Sequence, residues 1–369
     1  MNPGLALLSI LIILLTLLEG FEALVLPRRI SRPFSIGRLL YRLLWWLWRG
    51  FSHLLPQSWR EDFLATYGPL SLLMMLTTWA SMLIIGFAGL YRAFNISLHL
   101  PEGEALSFGT YFYLSATTFV TLGFGDVSPQ GNAGRWIADI EAGIGFGFLA
   151  IVVGYLPVLY GAFARREVEI GMLDALASTP PSAGELLTRA SDDGADDLPD
   201  LLKRWERWAA ELLESHLSYP NLMYWRSQHE RQSWLGALTA ILDTSAIVIA
   251  FTTISPLRRQ AKLTFAIARH ALVDLRLIAE QNPVPINRLP EPDEDALLLP
   301  LFGSGLPLAD SPEGRERFRE LRALYEPHLN SIGTWLQLHV PDFQEASTHD
   351  HWRTAADPED HFFARSSRF

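Results

Sequence analysis

Three long apolar stretches, at about residues 5–26, 69–91 and 137–164, decide what this chain can fold into. Crossing the hydrocarbon layer of a bilayer takes roughly 20 apolar residues of helix, and each stretch is long enough. The second carries no Asp, Glu, Lys or Arg from residue 69 through 91, and the third none from 142 through 164. The first lacks the positive leader and small-residue cleavage site of a signal peptide, so it reads as a retained anchor. Glu19 and Glu22 share one helical face near its end. Charge is costly at the bilayer centre, so the pair is expected to reach the interface or to meet an arginine.

Composition agrees with a membrane class, because 49% of the 369 residues are hydrophobic and only 19% charged. Charge is distributed unevenly. Through Arg165 there are 10 basic and 9 acidic residues, whereas the remaining 204 positions hold 20 basic and 31 acidic ones, which is the composition of a water-facing part. The net charge of −10 and the lack of a basic stripe argue against nucleic acid as a partner. With no cysteine there is no disulfide, thiolate nucleophile or Cys-based zinc site.

Arginine placement predicts orientation, since positive charge near spans is retained on the cytoplasmic side. The link between the first two spans holds Arg28, Arg29, Arg32, Arg38, Arg42, Arg49 and Arg60, while residues 93–134 contain no basic residue but include Glu102, Glu104 and Asp126. The expected topology puts the N-terminus outside and the C-terminus in the cytoplasm. Within the link, residues 37–55 place Arg38, Arg42 and Arg49 on one helical face and Leu39, Leu43, Trp46 and Leu47 away from it. This suits an amphipathic helix in the headgroup region anchored by Trp45, Trp46 and Trp48.

Between spans two and three, residues 107–120 are too few to cross and return, so they can only dip into the membrane. Irregular backbone at that depth is tolerated only where protein or a water-filled cavity surrounds it. Gly123 and Gly125 alternate with Leu122 and Phe124, a pattern that frees the backbone to turn carbonyls toward a common axis. Thr121-Leu122-Gly123-Phe124-Gly125-Asp126, preceded by Ala116-Thr117-Thr118, resembles the pore-loop potassium channels, in particular the prokaryotic class with two spans around one pore loop. The resemblance covers about residues 69–165, roughly a quarter of the chain.

That resemblance implies an all-α membrane protein with a pore module at 69–166: outer helix, re-entrant pore helix and filter, inner helix. Four copies would surround the pore. Potassium ions would bind at the carbonyls of Thr121, Leu122, Gly123 and Phe124, with the Thr121 hydroxyl adding the innermost ring and Gly125 completing the loop. Asp126 would hold the filter from behind, with Tyr113 as its partner, and Thr117 and Thr118 would end the pore helix. Leu122 and Phe124 depart from the family's valine and tyrosine, and Phe124 lacks the hydroxyl that can brace the filter. Gly145 falls at the position of the family's hinge glycine. Gly143, Gly147 and Gly154 are better explained by close helix packing. Pro157 breaks one helical hydrogen bond, and Leu156 and Tyr160 beside it are the expected constriction. Asp139 and Glu141 are expected to brace the pore helix. Expected partners are potassium ions, membrane lipids of a bacterial plasma membrane and three further copies of the chain, with no resident cofactor.

The remainder is organised as a 1–27 anchor, a 28–68 cytoplasmic link, a 167–200 linker and a 201–369 helical domain. Helical patterns run over 201–217, 219–231, 234–254, 257–281 and 313–338, the last with a break near Pro327. A Pro-rich stretch separates the final two. Residues 234–254 are long and apolar enough to span, but the central Asp243 and the hydroxyls of Thr239, Thr244, Ser245, Thr252 and Thr253 favour the core helix of a cytosolic bundle. Asp192, Asp193, Asp196, Asp197 and Asp200 lack the order of a calcium loop. His216, His229, His270, His349 and His351 show no paired ligand spacing. No catalytic motif is visible, and the chain is not expected to be an enzyme. A passive potassium channel is the leading expectation. Its rivals are a weakly selective cation channel and a non-conducting membrane sensor or scaffold.

Overall fold

The computed structural model describes residues 1–26, 35–103, 105–192, 196–228 and 231–344. Arg28, Arg29, Arg32, Glu104, Asp193, His229, His349 and His351 lie outside the described residues. The chain divides into two compact units, Met1–Gly161 and Ala162–Phe369. Its described part is almost wholly helical, with one two-stranded ribbon.

In the first unit α1 (Pro3–Leu24) starts at Asn2, whose side-chain oxygen accepts from the Leu5 N–H, an N-cap. It packs against α3 (Gln57–Ala93) through Ala6, Ser9, Ile13 and Thr16. The approach is close because α3 presents Gly86 and Gly89, where a β-carbon would lie 2.6 Å from Ile13 Cγ1 and 2.2 Å from Ser9 Oγ. Small residues make such helix contacts possible in a membrane, where apolar burial gives no driving force. Among the described residues, Glu19 finds its partners in the backbone. Its carboxylate accepts the N–H groups of Ile36 and, at 3.1 Å, Gly37, and so caps the exposed donors of α2 (Ile36–Ser52).

The sequence pattern of α2 is realised with one correction. Leu39, Leu43, Trp46, Leu47 and Phe51 are exposed, whereas Trp45 is buried and Trp48 half-buried. Trp45 packs edge-on against Tyr67, and Trp48 stacks on Phe63 while its Nε1–H donates to the Phe63 carbonyl at 3.0 Å. These two indoles therefore hold α2 to α3, and only Trp46 of the three points outward.

Helix α4 (Phe108–Phe119) lies between the strands of a ribbon in which β1 (Leu98–His99) pairs antiparallel with β2 (Ser128–Pro129). Helix α5 (Gly131–Ala177) then runs unbroken through Pro157. The apolar core of the unit joins Ile13, Leu83, Phe87, Tyr91, Ile96, Tyr111, Leu114, Phe119 and Val127, so α1 contributes to the same core as α4.

The second unit contains the end of α5, then α6 (Ala183–Asp192), α7 (Leu198–Ser218), α8 (Trp234–Phe251), α9 (Ser255–Ile278), α10 (Glu291–Gly303), α11 (Pro312–Ala323) and α12 (Glu326–Leu336). The expected linker at 167–200 is largely helical, because Leu173, Leu186 and Leu187 are buried and the Pro180–Pro181 turn is only local. Residues 219–231 are not a long helix. Pro220 opens a short 3-10 turn, and the Leu222 and Trp225 carbonyls accept from the Arg166 guanidinium at 2.9 and 2.7 Å. The Pro-rich stretch also contains α10, where Pro292 occupies the first turn and needs no N–H partner.

Helix α8 is the centre of this bundle. Every residue but Ala250 is buried, with α6, α7, α9, α11 and α12 packed around it. Its apolar composition is thus consumed by protein contacts, and no face remains for lipid. Asp243 is bound at 2.7 Å by Arg288 and receives the Tyr325 hydroxyl at 2.5 Å. Replacing Asp243 with alanine leaves a buried guanidinium unpaired and should destabilise the chain by about 3–5 kcal/mol, seen as a lower chemical unfolding midpoint. Arg315→Ala, which removes pairs to the exposed Asp295 and Asp310 and a longer one, at 3.8 Å, to the buried Glu294 that Arg319 and Arg322 also hold, should cost only about 1 kcal/mol.

His216 is fully buried, with Nε2 facing Arg166 at 3.4 Å and Nδ1 2.8 Å from the Leu212 carbonyl. Arginine can only donate, so Nε2 accepts and Nδ1 carries the proton. Burial, aided by the Arg166 charge, pushes the imidazole down to about 3. An unfolded histidine protonates near 6.5, so the unfolded chain binds the extra proton first and stability falls as pH drops through the interval between these values. His216→Gln should flatten that decline by up to about 1.4 kcal/mol per pH unit, measured as unfolding free energy against pH.

Candidate ion-conduction site

Ser107 starts α4 with a reciprocal cap: its hydroxyl accepts from the Thr110 N–H at 3.2 Å, and Thr110 Oγ1 accepts from the Ser107 N–H at 3.3 Å. Twelve helical residues reach about 18 Å at 1.5 Å each, which is short of a full bilayer crossing. At its end the Thr117 carbonyl accepts both the Leu122 N–H at 2.8 Å and the Gly123 N–H at 3.3 Å, while the Thr121 N–H donates to the Thr118 carbonyl at 3.0 Å. The helix is wound off directly into the extended loop.

Thr121, Gly123 and Gly125 adopt φ values of 58°, 52° and 80°, alternating with Leu122 and Phe124. Two of these three left-handed positions are glycines, where the conformation costs nothing. Thr121 is β-branched and bears a strain of about 1–2 kcal/mol, which the surrounding hydrogen bonds must hold. Behind the loop, the Tyr113 hydroxyl donates to Asp126 Oδ2 at 2.9 Å. Beyond it, Val127 is buried, and the Gln130 N–H donates to the Ser97 carbonyl at 2.8 Å. The loop is therefore pinned at both ends. All of its residues from Thr121 to Asp126 are exposed in the single chain, Phe124 at 68%.

Two contacts register α5 against α4. Glu141 is wholly buried; its Oε2 accepts the Tyr91 hydroxyl at 2.8 Å and its Oε1 is in contact with the Ser115 hydroxyl oxygen. Asp139, also expected to brace α4, is exposed instead. One turn after Glu141, a β-carbon on Gly145 would lie 2.0 Å from the Phe119 carbonyl oxygen. Gly143, Gly147 and Gly154, to which the sequence assigns packing, have nothing within 4 Å of that position in the single chain. The close-packed glycine is Gly145. Further along, Leu156 is half-buried while Pro157 and Tyr160 are exposed.

Ser115 and Tyr91 are site residues that the sequence does not single out. The available signal is a serine inside an apolar helix and a tyrosine ending an apolar span, both facing one acid. Among the described residues no cluster of three His, Asp or Glu side chains could hold a metal ion.

The family model described as "Ion channel" matches residues 71–159, the part that contains α3 from Ser71 onward, α4, the loop and α5 as far as Leu159. The chain is thus a helical membrane protein with an ion channel domain, and that family is not an enzyme family. The chain is 25% identical to the uncharacterized membrane protein YdjJ of Bacillus subtilis (strain 168) over 209 residues, covering 56% of this chain and 59% of that protein. It is 33% identical to Protein LctB of Bacillus caldotenax and 36% identical to Protein LctB of Geobacillus stearothermophilus, each over 90 residues, 22% of this chain and 66% of the relative. The chain spans about three fifths to two thirds of the length of the curated relatives it matches. No solved structure matches it.

Gly145→Ala should separate α5 from α4 and lower the thermal midpoint of the purified protein by several degrees, on the order of 1–3 kcal/mol for overpacking. Gly143→Ala should leave it nearly unchanged. Equal effects would remove the register assigned to Gly145.

Proposed function

We propose that four copies of this chain surround a pore and conduct potassium passively through it, with the carbonyls of Thr121, Leu122, Gly123 and Phe124 as successive ion sites. The observation that carries this reading is the one-sided loop: residues 121–126 are pinned behind and at both ends, yet bare in the isolated chain. Backbone without partners at membrane depth needs either protein or a water-filled cavity on its open side. A ring of carbonyls around a shared axis answers that need and replaces the hydration shell of a cation. The C-terminal end of α4, with its partial negative charge, lies directly before the loop and adds to the attraction for cations. Asp126 and Glu102, both exposed, enrich cations near the mouth.

The same reading makes exposed Trp136, Ile140, Phe146, Leu149 and Val153 of α5 subunit- or lipid-facing. Leu156, Pro157 and Tyr160 form the gate, and Gly145 is the point about which α5 bends against Phe119. Arg38, Arg42, Arg49 and Arg60 keep α2 on the cytoplasmic side, so the N-terminus lies outside and the second unit is cytoplasmic, where it modulates the gate.

Purified protein in liposomes should pass potassium well above sodium. Gly123→Ala and Gly125→Ala should abolish the preference or the flux while the protein stays folded, because each methyl opposes a positive φ by about 1–2 kcal/mol in every subunit. Equal potassium and sodium fluxes would make it a weakly selective cation channel. No flux from a correctly assembled protein would make it a membrane sensor or scaffold.

A further inference from the structure

Glu141 touches neither the loop nor solvent, yet it is the polar group on which three helices of the first unit converge. The Tyr91 hydroxyl of α3 lies 2.8 Å from Oε2. The Ser115 hydroxyl of α4 contacts Oε1, and the same hydroxyl oxygen lies 2.8 Å from the Ile84 carbonyl of α3. These three contacts need three protons. Tyr91 and Ser115 supply one each, and a serine hydroxyl cannot donate to the carboxyl and the carbonyl together. The chain closes if Glu141 carries the third: carboxyl O–H to Ser115 Oγ, Ser115 O–H to the Ile84 carbonyl, Tyr91 O–H to Oε2. A buried polar group left out of such a chain is destabilising, so the complete assignment is the favoured one.

The contact is part of a two-point registration. Glu141 and Gly145 are four residues apart on α5, and the residues they meet, Ser115 and Phe119, are four apart on α4. One helical turn of α5 therefore lies in fixed register along the last turn of α4. From that last turn the Thr117 carbonyl holds Leu122 and Gly123.

We propose that Glu141 is a positioning residue for ion selectivity, a neutral carboxylic acid that fixes the height of α4 and hence of the carbonyls that follow. This rests on the reading of residues 121–125 as a filter. Glutamine is the isostere of the neutral acid: its amide donates to Ser115 and its oxygen accepts from Tyr91. Alanine removes both contacts and leaves the Tyr91 hydroxyl buried without an acceptor.

The test uses the full chain in liposomes, with oligomer size checked by cross-linking. Glu141→Gln should keep the potassium-to-sodium flux ratio of the unsubstituted protein, and Glu141→Ala should lower it about tenfold, the worth of one buried hydrogen bond. Where Glu141→Ala does not assemble, Ser115→Ala and Tyr91→Phe replace it, each expected to lower the ratio. Independently, the infrared spectrum at neutral pH should contain a protonated-carboxyl stretch that Glu141→Gln removes. An unchanged ratio in the assembled Glu141→Ala protein, a Glu141→Gln protein as impaired as Glu141→Ala, or no carboxyl band lost in Glu141→Gln would overturn the proposal. If the unsubstituted protein shows no selective flux, the filter reading fails instead, and the infrared difference still decides whether Glu141 is neutral.

Discussion

A backbone that leaves its helix inside a membrane has no water to satisfy its amides, and on the proposed reading the first unit is organised around how residues 120–127 meet that constraint. Half of the solution is internal. The Thr117 carbonyl takes two amides of the loop, Asp126 is held by Tyr113, and the ribbon of Leu98–His99 with Ser128–Pro129 closes the far end. The other half is missing from the single chain, since the opposite side of the loop is bare. An arrangement so completely braced on one side and so open on the other is suited to a second surface of the same kind, and symmetry supplies one at no cost in sequence.

The surrounding helices serve that brace. Helix α1 adds Ile13 to the core that holds α4, admitted by Gly86 and Gly89, and Glu19 ties its end to the start of α2. Helix α2 is fastened to α3 by Trp45 and Trp48. In the second unit a different chemistry does the ordering. A buried, mostly apolar helix carries one aspartate whose charge is matched by Arg288, and the uncharged His216 takes a hydrogen bond from Arg166. Such buried pairs add little net stability against apolar replacement, but they penalise any arrangement that separates them.

Much of this was legible in the amino-acid order, for identifiable reasons. Long apolar stretches forced α1, α3 and α5, and the alternating glycines at 123 and 125 marked the loop. The break near Pro327 and the placement of residues 234–254 inside a bundle also followed from local chemistry, the second from Asp243. What could not be read were contacts between distant segments. Trp45 and Trp48 look like interface anchors until Phe63 and Tyr67 are folded against them. Helix α10 hides in a Pro-rich stretch because proline reads as a breaker unless its position in the first turn is known. The sequence marks Gly145 as a hinge position and assigns packing to Gly143 and Gly147, and only the fold, through the Phe119 carbonyl, reveals that Gly145 is the one packed against α4.

The central claim, that main-chain oxygens of Thr121 to Phe124 face a shared axis and take the place of a cation's water, is tested most directly by imaging the purified assembly in potassium-containing solution. The account predicts four copies with those carbonyls converging on the axis and density for ions spaced between successive rings. A monomer, or an assembly whose loop carbonyls point away from any common conduit, would contradict it.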